Sequence, residues 1–200
     1  MRRVFLYLTM TMDGYVAGPD NELDWMISAP DAELTDDIVA LLSGADAGFI
    51  GYPTGVGMRP YWAGVLADAM ASKGSRAIAQ AITDMHAYLV SDRDVEQTFD
   101  NAEVLVVRTD DDLVEAVRRI KAQPGRDIGV PGGVRTARTF VRLGLVDEFV
   151  FLVHPVAIGG GKRVFAGRTP LDLIDAKRYP SGVVRLRYRP MPPGGVPTSG

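Results

Sequence analysis

Two glycine turns and the charges beside them carry most of the chemistry legible in this chain. The first, Ile128-Gly129-Val130-Pro131-Gly132-Gly133, is an apolar run that halts at a glycine pair and opens into Val134-Arg135-Thr136-Ala137-Arg138-Thr139-Phe140-Val141. A strand that turns into a helix in this way leaves backbone N–H groups pointing past the sheet edge, and glycine lets a ligand approach the main chain closely. Arg135 and Arg138 fall in the opening turns of the expected helix, where the dipole favours anions over cations. A bound phosphate resolves that conflict; two arginines that simply face water tolerate it at small cost.

The second turn, Ile158-Gly159-Gly160-Gly161-Lys162-Arg163, follows an apolar run over residues 149–153. Apolar residues of both parities in that run predict a strand covered on both faces. Three consecutive glycines contribute no packing, so they point to a close backbone approach or a positive φ, with a plain flexible connection as the alternative. Trp25 and Trp62 offer large apolar surfaces with a polar N–H for the walls of a ring-binding pocket, with core packing favoured for Trp62. Met10 and Met12 suit core or pocket lining. His154, just before Pro155, reads as a satisfied structural histidine before it reads as a general acid.

Composition bounds the remainder. Two hundred residues with 46% hydrophobic content support one domain with a core of several layers. A formal charge of −3 and a pI near 5.4 give no general attraction to nucleic acid or to anionic membranes. The absence of cysteine excludes disulfides, thiolate metal sites and cysteine nucleophiles, and two isolated histidines, His86 and His154, do not make a zinc site. With no apolar run of membrane-spanning length, a soluble, cytoplasmic protein is expected.

These residues must be positioned by alternating elements. A first strand covers residues 4–10. Leu34, Ile38, Leu41 and Leu42 recur at helical spacing between an N-cap at Asp31 and a stop at Gly44. Strands are expected over 46–51, 87–91, 104–107 and 128–131, and helices over 75–83 and around Leu113, Val114, Val117 and Ile120. Residues 54–67 are undecided, because Gly55, Gly57 and Pro60 weaken any helix there. Residues 171–178 and 183–189 predict a closing hairpin around Pro180-Ser181-Gly182. The expected fold is a three-layer α/β/α domain over residues 1–189, with a mostly parallel sheet ended by an antiparallel hairpin. Residues 190–200, with four prolines and three glycines, are expected to form a tail.

Read together, the motifs resemble the dihydrofolate reductase-like superfamily, and within it the branch of the riboflavin-biosynthesis reductase domain. The resemblance covers residues 3–189 and rests on Tyr7-Leu8-Thr9-Met10-Thr11-Met12-Asp13-Gly14-Tyr15-Val16-Ala17-Gly18, Leu23-Asp24-Trp25, Phe49-Ile50-Gly51, Tyr88-Leu89-Val90-Ser91, residues 128–133, Gly144-Leu145-Val146-Asp147-Glu148, and His154-Pro155 through Phe165. It implies a dihydrofolate reductase-like mixed sheet with a reduced nicotinamide dinucleotide, NADPH or NADH, across the carboxyl ends of the strands. The implied cofactor contacts are Ala17 and Gly18; Gly51, Tyr52, Pro53 and Thr54; Ser91, Asp92 and Arg93; and Gly132, Gly133, Val134, Arg135 and Thr136. The glycine pair of such proteins often carries a cis peptide. Related reductases often pair as homodimers, and the 149–153 strand is a candidate for the interface.

One departure bears on cofactor choice. After Gly51 the family usually has an arginine followed one residue later by threonine, whereas this chain has Tyr52-Pro53-Thr54. Tyrosine supplies no permanent cation, which leaves the 2′-phosphate of NADPH to Arg93 or Lys73. Asp92 suits a ribose diol, or a turn. In such a site the cofactor carries the hydride while the protein stacks the rings, excludes water and helps deliver a proton. Asp24 and Asp31 are the candidate acids, with N-capping as the competing role of Asp31. Met10, Asp13 and Trp25 are the candidate substrate contacts, with turn-shaping as the alternative for Asp13. The expected activity is hydride transfer to a pterin-like or ribosylamino-pyrimidine-like heterocycle, with no metal and no nucleic-acid or membrane partner. The alternative is a ligand-binding protein of the same fold with little or no turnover.

Overall fold

The computed structural model describes residues 1–26, 31–96 and 99–192. Eight strands form one sheet: β1 (Val4–Thr11), β2 (Ala45–Gly51), β3 (His86–Ser91), β4 (Ala102–Val106), β5 (Asp127–Val130), β6 (Glu148–His154), β7 (Leu171–Arg178) and β8 (Val184–Pro190), in the order β4-β3-β2-β5-β1-β6-β8-β7. The first six positions are parallel, and β8 and β7 close the sheet antiparallel. The helices are α1 (Ala32–Ser43), α2 (Tyr52–Ala67), α3 (Lys73–Asp84), α4 (Asp110–Lys121) and α5 (Val134–Arg142). This is the expected three-layer architecture.

Side-chain alternation along β1 assigns the layers. Val4, Leu6 and Leu8 pack with Leu113, Val117 and Ile120 of α4 and Ala137 and Phe140 of α5. Phe5 and Tyr7 turn the other way, against Ile38, Leu41 and Leu42 of α1 and Ile78, Ala81 and Ile82 of α3. Helix α2 lies on this second face, through Gly55. A methyl group on Gly55 would come within 2.5 Å of Leu89 Cδ2, so the glycine that weakens the helix is what seats it on the sheet. Close packing therefore overrides propensity, and α2 runs unbroken through Pro60.

Three expectations are corrected. The 149–153 run is not available for a subunit interface: it lies in β6 between β1 and β8, with Phe149, Val150, Phe151 and Leu152 all buried. No cis peptide occurs among the described residues; the glycine pair turns instead through positive φ, +157° at Gly132 and +82° at Gly133. Trp62 is only half-buried and lines a cavity instead of joining the core. Of the expected tail, Pro190 ends β8, and Met191 N–H bonds to Pro170 O at 3.0 Å. Residues 193–200 lie outside the described residues.

Candidate active site

Parallel pairing brings the carboxyl ends of β3, β2, β5, β1 and β6 side by side, so Ser91, Gly51, the turn after Val130, Thr11 and His154 follow one another along a single edge. In open α/β sheets this edge is where ligands bind.

At its centre two helix starts meet. Gly51 caps α2 and Gly133 caps α5, and neither helix has a side-chain cap or an acidic residue in its first turn. A methyl group on Gly51 would come within 2.5 Å of Thr136 Oγ1, and one on Gly133 within 3.0 Å of Thr54 Oγ1. The hydroxyls of Thr54 and Thr136 therefore stand between two sets of main-chain donors, with both dipoles' positive ends converging. Such an arrangement favours an anion without needing a cationic side chain.

The neighbouring side chains of the expected cofactor set are partly committed. Ser91 Oγ donates to Arg93 O at 2.6 Å and accepts from Arg93 N–H, which shapes the 91–93 turn. Asp92 and Arg135, both exposed, lie 3.8 Å apart and connect that turn to the start of α5. Tyr52 OH donates to Glu96 O at 3.0 Å. Arg138 leaves the helix start to donate to Arg163 O at 2.6 Å, while Arg93 and Pro53 are exposed. Lys73 heads α3 next to Gly74, which packs on Thr35 of α1.

Farther along the edge the loops after β1 and β6 are zipped together. Val16 N–H donates to Lys162 O and Lys162 N–H to Ala17 O, both at 2.8 Å. A methyl group on Gly161 would sit 2.2 Å from Ala17 O, which is the close approach expected of the triple glycine. Gly18 is covered by the Glu22 side chain. Asp13 accepts from Thr11 Oγ1 at 2.6 Å and from the N–H groups of Gly159 and Ile158. The Thr11 bond first, and then these two, hold its pKa below the ordinary carboxylate value.

The acid candidates differ in kind. Asp31 is buried; its Oδ1 accepts from Leu34 N–H at 3.0 Å and its Oδ2 from Ser181 N–H at 2.9 Å. These bonds, led by the one from Leu34, lower its pKa, so it is an ionised clamp between α1 and the β7–β8 hairpin. Asp24 is exposed. Trp25 lies edge-on to His154, ring centroids 5.7 Å apart, and donates to Glu22 O. Burial lowers the pKa of His154 and favours its neutral form. The sequence alone gave no sign of this pairing. Met10 is half-buried against the core. Among the described residues, no cluster of His, Asp and Glu is arranged to hold a metal ion and no helix is long and apolar enough to cross a membrane.

Comparisons with known proteins agree with this fold. The profile of the RibD C-terminal domain family matches residues 2–185. The uncharacterized protein YyaP of Bacillus subtilis (strain 168) is 30% identical over 190 residues, covering 94% of each chain. Among solved structures, a pyrimidine reductase-like protein from Corynebacterium diphtheriae superposes with a TM-score of 0.64 at 16% identity, over 96% of this chain and 92% of that one. A diaminohydroxyphosphoribosylaminopyrimidine deaminase/5-amino-6-(5-phosphoribosylamino)uracil reductase from Thermotoga maritima gives a TM-score of 0.66 at 14% identity, over 95% of this chain and 57% of that longer one. At these identities the structural matches speak to the fold.

Proposed function

The chain belongs to the RibD C-terminal domain family, and from that premise we propose that it is a nicotinamide-dependent reductase, transferring a hydride from NADPH, or NADH, to a pterin-like or ribosylamino-pyrimidine-like heterocycle. The observation that carries the proposal is the convergence of two uncapped helix starts at Gly51 and Gly133 on the carboxyl edge. A dinucleotide's pyrophosphate fits such a cradle, since main-chain donors and dipoles there need no partner from the protein.

When bound, the cofactor supplies the hydride. The chain's own work is then to hold the phosphates between Gly51, Thr54, Gly133 and Thr136, and to keep water from the reacting rings. Trp25, edge-on to the neutral His154, is the apolar wall at the β6 end of the edge.

A second reading, a binding protein with little turnover, is favoured by one observation. Of the two expected acids, Asp31 is held ionised by the N–H groups of Leu34 and Ser181, which leaves exposed Asp24. Calorimetric titration with NADPH and NADH tests the shared premise, and the absence of binding by both at millimolar ligand would overturn it. Oxidation of bound NADPH in the presence of pterin and aminopyrimidine acceptors then separates the two readings. The homodimer, in turn, is a proposal tested by light scattering, where a monomer mass near 21.6 kDa would refute it.

A further inference from the structure

Between α2, α3 and the sheet lies a cavity of about 290 Å³, close to the lower limit of about 300 Å³ for small-molecule pockets. Its floor is the register pair Gly48 and Ala87. The nearest atoms to a methyl group on Gly48 would be Gly129 O at 3.5 Å and Pro131 Cδ at 3.6 Å, ordinary contact distances, and Gly48 has no positive φ. Neither crowding nor backbone torsion therefore requires glycine there. Its missing side chain keeps the space open, at a cost in packing that an occupant would offset.

The lining specifies the occupant. Met58 and Trp62 of α2 form an apolar roof, of the kind that takes flat rings. The cation in the wall is Arg59, stacked over Phe99 at 5.4 Å with Nη2 donating to Asp100 O at 2.6 Å. Burial disfavours its charge and the Asp100 carboxylate offsets part of that; an anionic oxygen beside it inside the cavity would add to the compensation. Asp100, exposed, and His86, 3.3 Å from Asn101 Oδ1, are the other titratable groups of the wall. A phosphorylated sugar on a polar ring would bury many more donors and acceptors than this lining can satisfy. The cavity also adjoins the glycine cradle: Pro131 is part of its wall, and Met58 Sδ lies 3.7 Å from where a Gly132 side chain would begin.

We propose that this cavity binds a flat apolar ring compound bearing one carboxylate-type oxygen group, as a site that adjoins the dinucleotide cradle and is distinct from the ring wall at Trp25. The probe is 2-naphthoate, titrated by calorimetry, with NADPH titrated separately on the same preparations. Saturable binding of 2-naphthoate is expected, with 2-naphthylmethylamine weaker by roughly tenfold. Gly48→Val from the floor and Ala63→Met, at a residue of α2 that also lines the cavity, should each weaken 2-naphthoate by roughly tenfold or more while NADPH affinity stays unchanged. Arg59→Gln should cost about fivefold. The cavity assignment is overturned if 2-naphthoate fails to bind the wild type at millimolar concentration, or binds both filled variants as tightly. A preference for the amine would overturn the assigned polarity, and binding of uridine 5′-phosphate in place of 2-naphthoate would overturn the ligand class. Binding of 2-naphthoate without any binding of NADPH or NADH would remove the reductase reading and spare the cavity.

Discussion

Along the β3-β2-β5 half of the carboxyl edge, two helices begin at glycines with no side-chain cap, whereas on the half that runs through β1 and β6 to the hairpin three carboxylates are engaged by the protein itself. Asp13, Asp31 and Asp37 each accept two or three hydrogen bonds, from the 158–159 turn, from Ser181 and Leu34, and from Lys177, Tyr179 and Arg185. The difference separates binding from bracing. Main-chain donors at a sheet edge with no side-chain cap are suited to a ligand, while an ionised carboxylate held by two or three protein donors has no proton to deliver. Acidic residues near a site are thus poor markers of acid catalysis in this fold unless a proton is left over.

The comparison predicts that bracing variants change stability first. Asp37→Ala would strip partners from Tyr179 OH and Arg185, both in a hairpin packed on α1. Tyr179 is fully buried, so the cost should be about 2–3 kcal/mol in urea denaturation. The same group predicts acid lability. Lys177 first, then Tyr179, hold the Asp37 carboxyl below its ordinary value. Its contribution is therefore present above the unfolded pKa of about 3.9 and is lost as pH falls through the lower folded value. Stability of the wild type should drop more steeply than that of Asp37→Ala below pH of about 4. Parallel curves would place the acid response in other groups.

Binding variants should do the reverse. Gly133→Ala forces a side chain onto φ +82° and against Thr54 Oγ1, at about 1–2 kcal/mol of strain. Its larger signature should be in NADPH affinity, weakened by roughly tenfold or more because the methyl group enters the cradle. A folded Gly133→Ala protein with wild-type NADPH affinity would break the distinction between the two halves.

How much of this was legible in the sequence depends on the range of the interaction. Local signals held: Asp31 caps α1, Gly44 ends it, and the hairpin turns at Gly182 with φ +86°. Helix α2 was illegible because Gly55 answers to Leu89 across the layer, which no local propensity records. The second bond of Asp31, to Ser181 150 residues away, is likewise invisible, and it is what makes the residue a brace. The cavity is illegible for the same reason, since its floor and roof come from elements whose contact is fixed by packing.

The smallest expected effect concerns the one place where the open half lacks a cation. Tyr52 stands where the family's arginine would, its hydroxyl held by Glu96 O, and Arg135 at the start of α5 is mostly exposed and only loosely paired with Asp92. If this end of the cradle meets the adenosine ribose, Tyr52→Arg should favour NADPH over NADH by about 0.5–1 kcal/mol, two- to fivefold, because a solvent-exposed charge pair is weak and screened. Arg93→Ala should shift the same ratio towards NADH if Arg93 supplies the missing charge, and leave it unchanged if that side chain only faces water. The ratio of the two dissociation constants at fixed salt is the measurement that decides. It cancels whatever either substitution does to the fold or to the pyrophosphate, since both cofactors share those terms and differ only in the 2′-phosphate. Two unmoved ratios would mean that the adenine end lies elsewhere along the edge, with the glycine cradle itself untouched by the result.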